Sequence, residues 1–482
     1  MSLLPRLYPL AARLLAPLYC GALAWRGFKE RGYWHGFGER LGFGPAVGSG
    51  AACTPGSLWL HAASAGEVQA AAALARTLVR QLPDAALVVT TVTPAGAARA
   101  RALLGAETAT RAEVRFLPLD VPGAVRRFLD RAAPRIGIIM ETELWPNLFR
   151  ECRRRSVPLA LVSARLSARS TRRYGLLHSL IEPVLAGCAL IAAQSEADAE
   201  RFLELGASAA AVRVVGNIKF DFEIPRETAE RGRRLREQYA RGRPVWVAGS
   251  THQGEEQAAL EAHLEVRRAH PGALLVLAPR HPPRFAEVAA LLEQRGARFE
   301  RWSRASANRS AEGAHDAHGG LTAEGPGAGE GPRPTDVPVL LLDTLGELLD
   351  FSAAADVVFV GGSLVPVGGH NLLEPAALGR ATITGPHNFN APEIERLLAA
   401  RAGLRVVRDA RELGASVRVL LANAAERAAL GAAARAVLEE NRGALERLTA
   451  LLEPLVRAAP GPRESAGSAA RWTSTDSRST SR

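Results

Sequence analysis

SLWLHAASAGEVQAAAALARTLVRQL, residues 57–82, is the stretch whose reading decides the fold. Its first six positions make a short apolar run of strand length. After a break at 63–66, apolar residues recur every three or four positions across 68–82, which is the helical period. A buried strand running straight into an amphipathic helix is the opening of a βαβ unit. The alternation repeats downstream, where apolar runs at 86–92, 136–140, 159–162 and 189–193 predict further strands, with Ala- and Leu-rich helical stretches between them. A charged stretch at 222–243, helical in pattern over 228–241 and closed by Gly242 and Pro244, reads as a domain linker. A second set of runs follows at 245–248, 274–277, 337–342, 357–360 and 381–384. The expectation is an α/β chain of two Rossmann-like halves, each built on a parallel sheet.

Bulk properties agree with two folded domains. A chain of 482 residues exceeds the size at which one core keeps growing, and 47% hydrophobic with 23% charged residues is ordinary globular usage. The expected domains are 31–228 and 229–459. Residues 305–334 and 460–482 carry no periodicity and read as a disordered insertion and tail. The formal net charge of +11 comes almost entirely from arginine, since Lys29 and Lys219 are the only lysines. That charge suits an acidic partner. The chain has no basic stripe interleaved with aromatics, no helix-turn-helix signal and no zinc-finger spacing, so no nucleic-acid partner is expected, and an anionic lipid or phosphorylated glycan fits better. Four scattered cysteines (Cys20, Cys53, Cys152 and Cys188) imply a reducing compartment, and His61, His252, His281 and His370 lie in no metal-binding pattern. No metal and no cofactor are expected.

Residues 7–25 form an apolar run broken by Arg13. It reads as a membrane-spanning anchor, as an interfacial helix whose Arg13 snorkels, or as a cleaved signal. Arg26, Lys29, Arg31 and Arg40 follow at once, which disfavours the signal reading and holds that side in the cytoplasm. Residues 1–30 are therefore expected to attach to the anionic inner-membrane surface from its cytoplasmic face.

Several segments, most of them at strand ends, carry possible chemistry. In His61-Ala62-Ala63-Ser64-Ala65-Gly66-Glu67, Ser64 and Glu67 have the spacing of a capping box. Alternatively, a carboxylate at the carboxyl end of a parallel strand can serve as a general base for a hydroxyl nucleophile. Met140-Glu141-Thr142-Glu143 places two carboxylates after another strand; at least one needs a cationic partner or must point away. Lys219 in Gly216-Asn217-Ile218-Lys219-Phe220 stands out in an arginine-rich chain as a compact point charge. In the second half, Gly249-Ser250-Thr251-His252, Pro279-Arg280-His281 and the glycine pairs Gly361-Gly362 and Gly368-Gly369 suit a phosphate, with Glu374 placed to accept hydrogen bonds from ribose hydroxyls. No P-loop or dinucleotide fingerprint is present.

Taken in order, HAASAGE, FLPLD (116–120), METELWPN, ARLSARS (164–170), GNIKF, GSTHQGEE, APRHPPRF, DTLGEL (343–348) and VGGSLVPVGGHNLLEP give a chain that resembles the transferases of 3-deoxy-D-manno-octulosonic acid (Kdo) over roughly residues 55–390. The resemblance implies a GT-B-type fold, with two Rossmann-like domains facing across a cleft. It implies an inverting, metal-independent glycosyltransferase that moves Kdo from CMP-Kdo to the lipid A precursor in lipopolysaccharide core synthesis. Catalytic roles would fall to Glu67 as general base, with Glu141 and Lys219 stabilising the transition state. The CMP moiety would lie against Pro279, Arg280, Leu345, Gly346, Glu347, Asn371, Leu372, Leu373 and Glu374. One departure from the family pattern is Ser163, where Asn is usual. Rival readings are a UDP-sugar transferase of the same fold and a membrane-tethered lipid-binding scaffold.

Overall fold

The computed structural model describes residues 3–45, 56–82, 85–109, 112–306 and 337–458. It divides into two compact units, Met1–Lys219 with Gly443–Arg482, and Phe220–Arg442.

The first unit holds seven strands: β1 (Ser57–His61), β2 (Leu87–Thr91), β3 (Ala112–Phe116), β4 (Pro134–Met140), β5 (Leu159–Ala164), β6 (Leu190–Ala193) and β7 (Val212–Val214). They pair in the order β3-β2-β1-β4-β5-β6-β7, every pairing parallel. The second unit repeats the plan with β8 (Val245–Thr251), β9 (Leu274–Pro279), β10 (Phe299–Arg301), β11 (Val339–Leu341), β12 (Val357–Val360), β13 (Ala381–Thr384) and β14 (Arg405–Val406), ordered β10-β11-β9-β8-β12-β13-β14 and again wholly parallel. Helices cover both faces of such sheets, so the central strands must be apolar throughout; β1, β2, β5 and β9 are buried at every position.

The pattern of apolar runs leaves four strands unpredicted: β3, β7, β10 and β14. These are the four sheet edges, and their partly exposed positions explain why no continuous apolar run marks them.

Two boundaries differ from expectation, since the second unit begins at Phe220, where residue 229 is expected, and ends at Arg442. The second domain is expected to run to residue 459, yet the helix Ala444–Ala458 returns to the first unit, where Ala444, Leu448, Leu452 and Val456 join Leu58, Leu60 and Leu74 in one core. Arg447 Nε fastens it to Val215 O at 3.0 Å. The expected insertion and tail lie outside the described residues, except that Ala305 and Ser306 end a helical turn in which Trp302 and Ala305 are buried.

In the first sheet the chain runs outward in both directions from the central pair β1 and β4; in the second the reversal falls between β8 and β12, with β10 laid at the edge before β11 enters beside β9. Ligands of open parallel sheets bind beyond the carboxyl ends of the strands at such a reversal.

Candidate functional site

Beyond β1, the helix Ala65–Gln81 starts at Ser64, and the capping box forms. Ser64 Oγ accepts from Glu67 N, while the Glu67 carboxylate accepts from Ala63 N (2.9 Å) and Ser64 Oγ (2.8 Å). The same side chain that closes the helix is thus held rigidly at the reversal point. Burial raises its pKa, the nearby charge of Glu141 adds to the rise, and the two donors and Lys219 oppose it.

Across the reversal, at the end of β4, Glu141 adopts a left-handed backbone with φ 54°. Such a conformation costs a non-glycine residue roughly 1 kcal/mol or more and clusters at functional sites. Its carboxylate bridges Lys219 Nζ and Arg165 Nε, each at 3.0 Å. Burial pushes its pKa up, but the two cations outweigh it and the net shift is downward. Of the paired acids, Glu141 therefore has the cationic partner. Glu143 has none among the described residues: burial first, then the charges of Glu67 and Glu141, push its pKa up to about 7. Glu67, Glu141 and Lys219 thus come together as one electrostatically coupled group. Arg165 belongs with them, although nothing in the sequence singles out its side chain. Ser163, near the end of β5, also has a positive φ of 50°; Asn tolerates that region better than Ser, which gives a physical reason for the usual residue there.

His61 is fully buried in β1, bonded through Nδ1 to Thr90 Oγ1 at 2.9 Å, and burial lowers its pKa to about 4. It is a neutral core residue. Asp120 caps the helix Pro146–Arg154, which directly follows the acid loop, by accepting from Asn147 N (3.0 Å) and Leu148 N (2.8 Å). It also accepts from Tyr8 of the N-terminal helix at 2.9 Å.

In the second unit, Glu255 organises the equivalent place. Its carboxylate is completely buried and accepts four backbone N–H bonds, from His252 (2.9 Å), Gly362 (2.6 Å), Ser363 (2.9 Å) and Leu364 (2.9 Å). The first glycine loop is therefore folded around an acid that the sequence pattern does not distinguish from ordinary turn chemistry. Gly362 O in turn accepts from Gly368 N and Gly369 N, which ties the second loop to the first. Around them His252 Nε2 meets His370 Nε2 at 2.8 Å, and the His252 ring packs edge-on against His281. Burial and then Arg280 lower the His370 pKa to about 4. Arg280 is exposed beyond β9 and Pro279 is buried as its last residue.

The remaining residues of the expected nucleotide seat are placed unevenly. Leu345 and Gly346 are exposed in a turn where Gly346 has φ 96°, and Glu347 accepts from Trp302 Nε1 at 2.8 Å. Asn371 is exposed, donating to Glu374 Oε1 at 3.0 Å, but the side chains of Leu372 and Leu373 are buried in the second unit's core, which leaves only their backbone for a ligand.

A family model described as 3-deoxy-D-manno-octulosonic-acid transferase (kdotransferase) matches residues 35–222. The 3-deoxy-D-manno-octulosonic acid transferase of Haemophilus influenzae is 39% identical over 86% of this chain and 90% of its own. That of Bordetella pertussis is 39% identical over 92% of this chain and 98% of its own. Among solved structures, a putative UDP-N-acetylglucosamine 2-epimerase from Listeria monocytogenes is similar with a TM-score of 0.51 and 14% identity, covering 85% of this chain and 99% of that one; this likeness concerns the fold alone and agrees with a GT-B-type pair of Rossmann-like units. With the two transferases matched along nearly their whole length, the chain belongs to the Kdo transferase family of glycosyltransferases.

Proposed function

We propose that the chain transfers Kdo from CMP-Kdo to a hydroxyl of the lipid A precursor, with inversion and without a metal. The observation that carries this reading is the Glu67 carboxylate, gripped by Ala63 N–H and Ser64 O–H at the sheet reversal beside the Glu141, Lys219 and Arg165 cluster. A fixed carboxylate of raised pKa is a stronger base than an ordinary one and takes the acceptor proton as the new glycosidic bond forms. Lys219 and Arg165, partly neutralised by Glu141, supply positive charge in a half-buried setting where it acts strongly. The donor phosphate is assigned to Arg280 and to the glycine loops folded around Glu255.

Nucleotide preference tests the donor. A ligand that binds only the native state raises the melting temperature, the more so the tighter it binds at a given concentration. CMP is expected to raise the Tm of the full chain at concentrations where UDP leaves it unchanged. A larger shift with UDP would transfer the reading to a UDP-sugar enzyme.

Glu67 must be ionised to act, so activity falls as pH drops through its raised pKa. In Glu141→Gln the negative neighbour that raises that pKa is gone and Lys219 is released from its ion pair. Both changes favour the Glu67 anion. The acid limb of the kcat profile is expected to move to lower pH even as the plateau rate falls; movement to higher pH would separate that limb from Glu67.

We further assign the helix Leu4–Lys29 to the membrane surface. Its less exposed positions (Pro5, Tyr8, Ala12, Ala16, Cys20, Leu23 and Gly27) recur at helical spacing, with Tyr8 bonded to Asp120 of the first unit, while Leu7, Leu10, Leu14, Leu18, Trp25 and Phe28 stand exposed. A helix tied to its own domain through Tyr8, with a row of exposed apolar residues, suits an orientation in the plane of the interface.

A further inference from the structure

Beneath the N-terminal helix the first unit contains a cavity of about 210 Å³. Its apolar wall is made by Pro5 of that helix, Phe149 of the helix Pro146–Arg154, and Leu180, Pro183 and Val184 of the helix His178–Leu185. Phe149 and Val184 are each only 4% exposed, so the floor of the cavity belongs to the unit's core, while Pro183 stands exposed at its rim. Two guanidinium groups share the lining, Arg150 and Arg153, one helical turn apart. Arg150 donates to Asn147 Oδ1 at 2.6 Å, and among the described residues Arg153 pairs with no carboxylate. An apolar space with cations at its side, roofed by a helix whose other face is apolar and exposed, matches an acyl chain carrying an anionic headgroup.

We propose that this cavity is a socket for one acyl chain of the phosphorylated glycolipid acceptor, with Arg150 and Arg153 meeting its phosphate. The inference rests on the acceptor reading above and adds a place for the lipid. The occupant is argued from where the cavity sits. The helix Pro146–Arg154 that carries both arginines begins immediately after the Glu141–Glu143 loop, and Asp120 bonds both that helix start and Tyr8, which itself lines the cavity. A chain seated here therefore touches the helix that follows the acid loop and a tyrosine bonded to the aspartate that caps that helix. A bulk phospholipid would gain nothing from that connection, whereas an acceptor gains orientation. Tyr8 is a positioning residue in this account.

The test compares acceptors on the full chain. Leu180→Trp fills the socket, removing contacts equivalent to roughly two buried methylene groups, which predicts a KM for the tetra-acylated acceptor raised about tenfold. The kcat, the KM for CMP-Kdo and transfer to a de-acylated glucosamine disaccharide bisphosphate are expected to stay as in the unsubstituted protein. Equal effects on both acceptors, or no effect on either from a folded variant, would overturn the socket.

A second measurement does not depend on that variant folding or on turnover. A tetra-acylated acceptor with a diazirine on one acyl chain, photolysed with the unsubstituted protein, is expected to label residues 146–154 or 178–187 and to be competed by unlabelled acceptor but not by phosphatidylethanolamine vesicles. Labelling confined to other segments, or displaced equally by those vesicles, contradicts the assignment. Labelling as expected without Kdo transfer would uphold the socket while sinking the transferase reading of the donor.

Discussion

Glu67→Gln is expected to lower kcat for Kdo transfer by about 10²- to 10⁴-fold, the range that a positioned general base contributes. The glutamine keeps the size and much of the capping geometry: its carbonyl oxygen can still accept from Ala63 N or Ser64 Oγ, the two donors that hold the carboxylate at 2.9 and 2.8 Å. What it loses is the ability to take a proton. The substitution therefore separates the two roles the geometry gives one side chain. A helix cap contributes about 1 kcal/mol, so a purely structural Glu67 would show as a few degrees of Tm with turnover largely intact. A base shows the reverse, with turnover lost while Tm and CMP affinity remain close to the unsubstituted protein. Steady-state rates and a melting curve on the same preparation decide between them.

Glu255→Ala is expected to destabilise the second unit by about 4 kcal/mol or more, from four buried N–H groups left without an acceptor at roughly 1–3 kcal/mol each, offset in part by water entering the space. The donors belong to two separate segments, His252 on one side and Gly362, Ser363 and Leu364 on the other, so no single backbone adjustment can satisfy them again. Gly361 leaves no room for repair by a larger neighbour, since a Cβ there would lie 2.7 Å from Ser250 O. The glycine loops should loosen before the sheet unfolds, which makes loss of CMP binding the earlier sign and a lowered urea midpoint of the second unit the later one. A loss below about 1 kcal/mol, with nucleotide binding retained, would show that the loops hold their shape without Glu255.

Much of this architecture could be read from the sequence because parallel strands buried on both faces leave continuous apolar runs. The central strands were legible for that reason, and the four edges were not. Periodicity also shows which face of a helix is buried without showing what buries it. Ala444–Ala458 has the pattern of a packed helix, but nothing in its own residues says that it returns to the first unit. The candidate site divides the same way. Ser64 and Glu67 are three positions apart, so their hydrogen bonds follow from local spacing. The Glu141 partners lie 24 and 78 residues away, and the Glu255 donors on the far loop lie more than 100 residues away. Such pairings are set by strand order, and strand order is what the local pattern lacks. The second acid shows the consequence: the sequence asks only that at least one of Glu141 and Glu143 have a cationic partner or point away, and the structure assigns the cations to Glu141, leaving Glu143 as the acid whose pKa is raised.

Purified full chain incubated with CMP-Kdo and a tetra-acylated lipid A precursor in excess chelator, with products weighed by mass spectrometry, tests the central claim most directly. The account predicts that the lipid gains the mass of Kdo and that one CMP is released for each sugar transferred, with Glu67→Gln giving almost none. CMP-Kdo left intact with no gain of mass by the lipid, or Kdo transfer at an undiminished rate by Glu67→Gln, would contradict it.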